Sequence, residues 1–201
     1  KILKEQLDQS YLNNFVISRE KSFFYDHSSL NKIINGNKFI ESYSLAKLKS
    51  FNPNIFNCCD KHRMYIEIIQ NINKDIKEGA VFNETGIIGQ VVNDKSFYEV
   101  MLLTDNKSSI PLINSKGDFY CNASGSGVSG YITCSYSQLV WLDNHELGEK
   151  FFSSGLGGIY PKGIEIGNLE SIKIIDASTT LLKIKLISNP LHSNLFGVIK
   201  L

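Results

Sequence analysis

Ser154 is the residue whose setting most resembles that of a catalytic nucleophile, because it stands in the glycine-rich segment Ser154-Gly155-Leu156-Gly157-Gly158. A serine nucleophile needs a nearby histidine base that is oriented by an acid. The candidate bases are His27, His62, His145 and His192. The GxSxG elbow that would expose a nucleophile is absent. We therefore interpret the segment as a structural turn and keep a trypsin-like serine hydrolase using Ser154 as the alternative.

Other kinds of chemical site find little support in the sequence. It contains no HExxH motif, no EF-hand loop and no CxxC pair, so we expect no metal site. The glycine clusters lack a Walker lysine, so we expect no nucleotide or other cofactor. The chain has 201 residues and a formal net charge of +1, and its two arginines are Arg19 and Arg63. That balance excludes a basic stripe able to bind nucleic acid.

The four cysteines allow two interpretations. They are Cys58, Cys59, Cys121 and Cys134. Four free, partly buried thiols are the simpler interpretation. Because Cys121 and Cys134 flank a glycine-rich turn, they could instead face each other across a hairpin and form a disulfide in an oxidising compartment.

The N-terminal stretch, residues 1–17, has a helical pattern. Leu3, Leu7 and Tyr11 recur every four residues, which is typical of an amphipathic helix. The same stretch fits the end of a coiled coil in which Asn14 is a polar seam residue. These four side chains are therefore the predicted self-association surface. A helix that packs on its own domain explains the pattern equally well.

From residue 39 onward the chain has an all-β pattern. Short apolar segments alternate with clusters of Gly, Asn, Asp and Ser, which predicts antiparallel strands. The predicted strands are 40–48, 64–69, 87–92, 99–103, 119–121, 131–134, 139–142, 164–169, 172–175, 181–187 and 198–201. So many strands fit two small barrels or one sandwich. Partner contact is predicted at Phe97, Tyr98 and Tyr160, with local packing as the alternative.

Three segments carry distinctive motifs in a fixed order along the chain. Residues 86–91 read GIIGQV, and residues 102–105 read LLTD and are followed by Ile110-Pro111. The most specific segment is 153–167, SSGLGGIYPKGIEIG. In this order the segments resemble the MreC family of bacterial rod-shape-determining proteins, which usually has a threonine and a phenylalanine in place of Ser153 and Tyr160. The resemblance runs from about Tyr43 to the C-terminus.

The resemblance implies a mainly β fold of two small six-stranded barrels in a chymotrypsin-like arrangement without a triad, preceded by a coiled coil. We assign residues 1–37 to the helix and its connection, 39–78 plus 157–201 to the first barrel, and 79–156 to an inserted second barrel. Glycines at 79 and 148 suggest these limits, since each introduces a β segment. The turn between the barrels is then predicted at Gly155, Gly157, Gly158, Pro161 and Gly163.

The resemblance also implies a function without catalysis. Members of the family organise the cell-elongation machinery, bind the elongation-specific penicillin-binding transpeptidase, MreD and MreB, and bind themselves. We therefore expect a periplasmic scaffold that maintains rod shape. The family has a single membrane helix before its coiled coil, so we expect an inner-membrane anchor before Lys1.

Overall fold

The computed structural model describes residues 30, 33, 43–52, 61–70, 76, 78–93, 98–137 and 145–199. Across these ranges no helix has the length and apolar character needed to cross a membrane. Several predictions fall outside the described residues: the helix and coiled coil, the strand 139–142, and the sites at Leu3, Leu7, Tyr11, Asn14 and Phe97.

The described residues form twelve strands and one short 3₁₀ turn. The elements are β1 (Ser44–Phe51), β2 (Arg63–Gln70), β3 (Gly79–Asn83), β4 (Gly86–Asn93), β5 (Tyr98–Leu102), β6 (Ser109–Asn114), β7 (Tyr120–Gly125), β8 (Tyr131–Ser137), β9 (Lys150–Ser153), β10 (Glu165–Ile174), β11 (Thr179–Leu186), the 3₁₀ turn (Pro190–His192) and β12 (Leu195–Ile199). In β11 the buried Leu182 and Ile184 alternate with Lys183 and Lys185. This alternation is the pattern of a strand with one face toward a core.

The strands close into two six-stranded barrels. In the first barrel the order is β1-β12-β3-β4-β5-β2, and in the second it is β10-β11-β8-β7-β6-β9. Neighbouring strands pair antiparallel throughout, as between β7 and β8 or β1 and β12. Closure leaves no open sheet edge in either barrel. The prediction of a mainly β fold with two six-stranded barrels is confirmed.

The division of the chain between the barrels differs from the predicted one. Strands β3, β4 and β5, predicted in the second barrel, belong to the first, where β5 pairs with β2 and β3 pairs with β12. Strands β10 and β11, predicted in the first barrel, belong to the second, where β11 pairs with β8. Gly79 begins β3, and Gly148 lies in the turn just before β9, but the pairing that closes each barrel decides which barrel a strand joins.

The glycine-rich segment is likewise not a crossing between the barrels. It joins β9 to β10, and both strands belong to the second barrel. The chain passes between the barrels at residues 103–108 and again at 187–194. Glycines at 155, 157, 158 and 163 all have positive φ, so they form tight turns inside the second barrel.

One apolar core runs across both barrels, and a second lies within the first barrel. The shared core contains Phe82 and Ile87 of the first barrel together with Ile166 and Phe151 of the second. The Phe82 ring occupies the space where a side chain on Gly197 would lie. Because the shared core includes residues from both barrels, their relative placement is part of the folded state.

A substitution in the glycine-rich segment tests whether its glycines are needed for tight turns with positive φ. Gly157 has φ +81°, and no described atom beyond its two chain neighbours lies within 4 Å of the position a Cβ would occupy. Gly157→Val should lower the free energy of unfolding by at least about 1 kcal/mol, because a β-branched residue is strained in the left-handed region. Urea denaturation measures the change.

Gly157→Asn is the matched control, since asparagine tolerates positive φ. It should retain most of the stability that valine loses. Equal losses in the two variants would show that backbone conformation is not what glycine supplies at this position.

Candidate functional site

Ser154 does not meet a described histidine base. Its Oγ accepts a hydrogen bond from the amide of Leu156 at 3.3 Å, and the residue is 7% exposed. The rings of His62, His145 and His192 form hydrogen bonds with Thr104, Glu149 and Asn189, respectively. His27 lies outside the described residues. The described histidines are therefore engaged elsewhere.

The neighbouring Ser153, just before the glycine-rich segment, has a hydroxyl with a structural role. Its side chain is buried, and Oγ donates a hydrogen bond to the carbonyl of Pro161 at 2.5 Å. The same oxygen accepts a hydrogen bond from the amide of Ile164 at 3.0 Å, and the amide of Gly163 donates to the Ser153 carbonyl at 2.8 Å. These bonds close the segment into a loop on β9, so its serine has a structural role.

Tyr160, predicted to contact a partner, is instead an internal contact between the barrels. Its side chain is 1% exposed, and its hydroxyl donates a hydrogen bond to Oε1 of Gln90 on β4 at 2.9 Å. Burial raises the pKa of this phenol. The prediction for Tyr160 is thus corrected, since a ring buried in this way is not open to a partner. Tyr98 is half-buried against the core of the first barrel and stays a prediction.

The buried carboxylate of Asp105 lies at the first chain crossing. Its side chain is fully buried and receives three hydrogen bonds. The donors are the Nε of Arg63 at 2.7 Å, the amide of His62 at 2.9 Å and the amide of Lys107 at 2.9 Å. Arg63 also lies 3.4 Å from Glu99. A buried charge is tolerated when it is paired and hydrogen-bonded in this way.

This crossing is fastened to a hairpin of the second barrel. The amide of Gly127 donates to the Thr104 carbonyl at 3.0 Å, and the amide of Gly125 donates to the Ser108 carbonyl at 3.2 Å. A Cβ on Gly125 would overlap the carbonyl of Asp105. Glycine at 125 is therefore required by close backbone approach. We call the Asp105 carboxylate, its donors and this hairpin contact the junction.

The second crossing is held by polar contacts to the first barrel. Ser188 Oγ donates to the Ile87 carbonyl at 2.6 Å, and Asn83 Nδ2 donates to the Asn189 carbonyl at 3.0 Å. Ser188 and Asn83 are both buried. Satisfied buried polar groups of this kind define one arrangement of the parts they join.

A cleft lies between the two crossings. It encloses about 290 Å³ and is lined by residues of both barrels, among them Ile88, Leu103, Ser129, Lys185 and Ile187. Thr104 and Ser188 also line it, so the cleft borders the junction directly. Nothing in the sequence pattern singled out this cleft, because its lining comes from four separate stretches of chain.

Cys121 and Cys134 form a disulfide across the hairpin of β7 and β8, with their Cα atoms 6.2 Å apart. The simpler interpretation of free thiols is therefore wrong for this pair. Cys134 is fully buried in the core that the two barrels share. Within the described ranges, no three His, Cys, Asp or Glu side chains are grouped so that they could hold a metal ion.

The family model described as "Rod shape-determining protein MreC, barrel core" matches residues 57–200. The chain belongs to the MreC family. The match covers strands of both barrels, and the resemblance drawn from the sequence motifs is confirmed.

Individual relatives agree with this placement. The cell shape-determining protein MreC of Haemophilus influenzae is 32% identical over 107 residues, which are 50% of this chain and 30% of that protein. The chain therefore spans less than a third of that relative. MreC from Pseudomonas aeruginosa shares the fold with a TM-score of 0.66 at 21% identity, over 79% of this chain and 99% of the other.

A further structural relative was solved with a partner. It is the complex between Penicillin-Binding Protein (PBP2) and MreC from Helicobacter pylori. The matched chain has a TM-score of 0.57 at 17% identity, over 79% of this chain and 97% of that one. At this identity the likeness is one of fold.

Replacing Asp105 tests the junction. Asp105→Asn should lower the free energy of unfolding by about 3 kcal/mol, because it removes the closer charge partner of the largely buried Arg63 guanidinium and leaves it only Glu99, at 3.4 Å. Asp176→Asn, in an exposed turn, is the control and should change stability by no more than about 0.5 kcal/mol. Urea denaturation of both variants makes the comparison. Similar losses in the two would contradict the importance of the Asp105 carboxylate.

His62 makes folding stability depend on pH. Burial lowers its pKa, and the negative charge of Asp105 partly opposes this shift. As pH falls below about 7, the unfolded chain takes up the proton first, since its histidine pKa is about 6.5. The stability that His62 contributes as a neutral group is therefore lost on acidification.

His62→Gln should remove the part of the folding stability that depends on protonation of His62. The stability advantage of the wild type over the variant should shrink as pH is lowered from 8 to 5, measured by urea denaturation at each pH. A constant difference over that range would show that the proton affinity of His62 is the same in both states.

Proposed function

We propose that this chain is the two-barrel part of a non-enzymatic scaffold that maintains rod shape by binding the elongation-specific penicillin-binding transpeptidase. Membership of the MreC family is the observation that carries the proposal. The solved complex of a related MreC with PBP2 supports this choice of partner. MreD, MreB and a second copy of the chain are further proposed partners, the last through Leu3, Leu7, Tyr11 and Asn14.

The structure suggests how such a scaffold could regulate a synthase. A protein shifts its partner between conformations only when it binds one of them more tightly. A firm surface suits this task, because little ordering entropy is lost on binding. The shared core and the junction hold the two barrels in one arrangement, which supports binding by a preformed surface.

We place this region in the bacterial periplasm, attached to the inner membrane through a single helix outside this sequence. The Cys121–Cys134 disulfide supports the placement, since structural disulfides persist in oxidising compartments. The membrane attachment is proposed from family membership.

The alternative, a serine hydrolase using Ser154, has less support. The Oγ of Ser154 accepts a hydrogen bond from a nearby backbone amide. The described histidine rings form hydrogen bonds with residues other than Ser154. A fluorophosphonate probe that labels activated serines separates the two functions. We expect no labelling of Ser154.

The binding proposal is tested with the purified periplasmic part of the elongation-specific transpeptidase from the same bacterium. Biolayer interferometry should show saturable binding to this chain. A division-specific transpeptidase from the same cells is the control and should bind at least about tenfold more weakly, a difference of about 1.4 kcal/mol. Absence of binding to the elongation enzyme, or labelling of Ser154 by the probe, would overturn the proposed function.

A further inference from the structure

The cleft between the crossings has the features of a docking site. Its lining includes the apolar residues Ile88 of β4 and Leu103 and Ile187 of the two crossings, beside polar residues of the second barrel. Its volume of about 290 Å³ is at the lower limit of small-molecule pockets, which span roughly 300–1,000 Å³. That size suits one or two apolar side chains of a protein segment.

Exposed apolar residues extend the surface beyond the cleft itself. Val128 directly precedes the lining residue Ser129 and is 54% exposed. Leu191 directly follows the lining residue Pro190 and is 36% exposed, and Ile187 within the lining is 37% exposed. An apolar centre wider than the cavity is typical of a protein interface rather than of a ligand pocket.

Charged residues at the edge of the cleft, which we call the rim, indicate the charge of the group that binds there. Lys183 lies 3.2 Å from Glu170 and sits over the ring of Tyr131. Lys185 lines the cleft and is exposed, and Glu170 lies within electrostatic range of both lysines. Because two lysines face one carboxylate, this part of the surface keeps a net positive charge that an acidic group on the partner would complement.

We propose that this cleft receives a segment of the transpeptidase in which an apolar side chain stands next to an acidic one. The inference rests on the proposed function and names the surface through which it operates. The apolar side chain enters between the two crossings, and its acidic neighbour meets Lys185. Because the lining comes from both barrels and both crossings, the bound segment also stabilises their relative placement.

Two matched pairs of variants test the cleft against the periplasmic part of the transpeptidase. Ser129→Trp fills the mouth of the cleft and should raise Kd by about tenfold or more. Its control is Ala177→Trp at the exposed turn between β10 and β11, which should leave Kd within about twofold. Thermal melting of each variant checks that the fold is intact.

The second pair addresses charge. Lys185→Glu should slow association and flatten its dependence on salt, because a rim charge acts chiefly on the rate of encounter. Its control is Lys173→Glu on the exposed part of β10, which should change the association rate by a smaller factor.

The outcomes separate the two proposals. Wild-type binding that neither Ser129→Trp nor Lys185→Glu weakens overturns the cleft as the docking site and leaves the scaffold function standing. Absence of wild-type binding overturns both. If Ser129→Trp instead changes the sedimentation coefficient of the chain alone, the cleft receives a second copy, which also overturns the assignment to the transpeptidase.

Discussion

The two-barrel arrangement depends on the burial of one carboxylate, that of Asp105. An ionised group removed from water is costly unless donors replace its hydration. Arg63 and two backbone amides supply those donors. Arg63 begins β2. Its bond to Asp105 therefore joins a strand of the first barrel to the crossing at residues 103–108, which leads into the second barrel. The position of the crossing follows from the requirement to satisfy this one charge.

The remaining contacts make this connection stiff. The hairpin of the second barrel approaches the crossing so closely that Gly125 has no room for a side chain. On the return path Ser188 bonds to β4, and Tyr160 reaches the same strand from the glycine-rich loop. Two of these stretches thus contact β4 of the first barrel, and the hairpin contacts the crossing that follows β5. A partner that binds at this place encounters both barrels as one body.

The strands were largely predictable from sequence, whereas their division between the barrels was not. Alternation such as that of Leu182 and Ile184 is a local signal, and β11 was found from it. The strand β6 was missed because Pro111 interrupts its apolar run, although a proline fits where no ladder hydrogen bond is needed. Barrel membership depends on pairs distant in sequence, such as Arg63 with Met101, and no local pattern reports them. The role of Asp105 was missed for the same reason, although its LLTD motif was recognised.

The glycine-rich segment shows why a specific motif need not indicate chemistry. A nucleophile needs an accessible hydroxyl and a base, but the hydroxyls of Ser153 and Ser154 bond to the backbone of their own loop. What the segment specifies is a loop shape, and that shape carries Tyr160 onto Gln90 of the other barrel. The segment 153–167 therefore helps to hold the two barrels in one arrangement through this buried contact. The proposed binding function would then depend on the segment only through the arrangement of surfaces that both barrels build together.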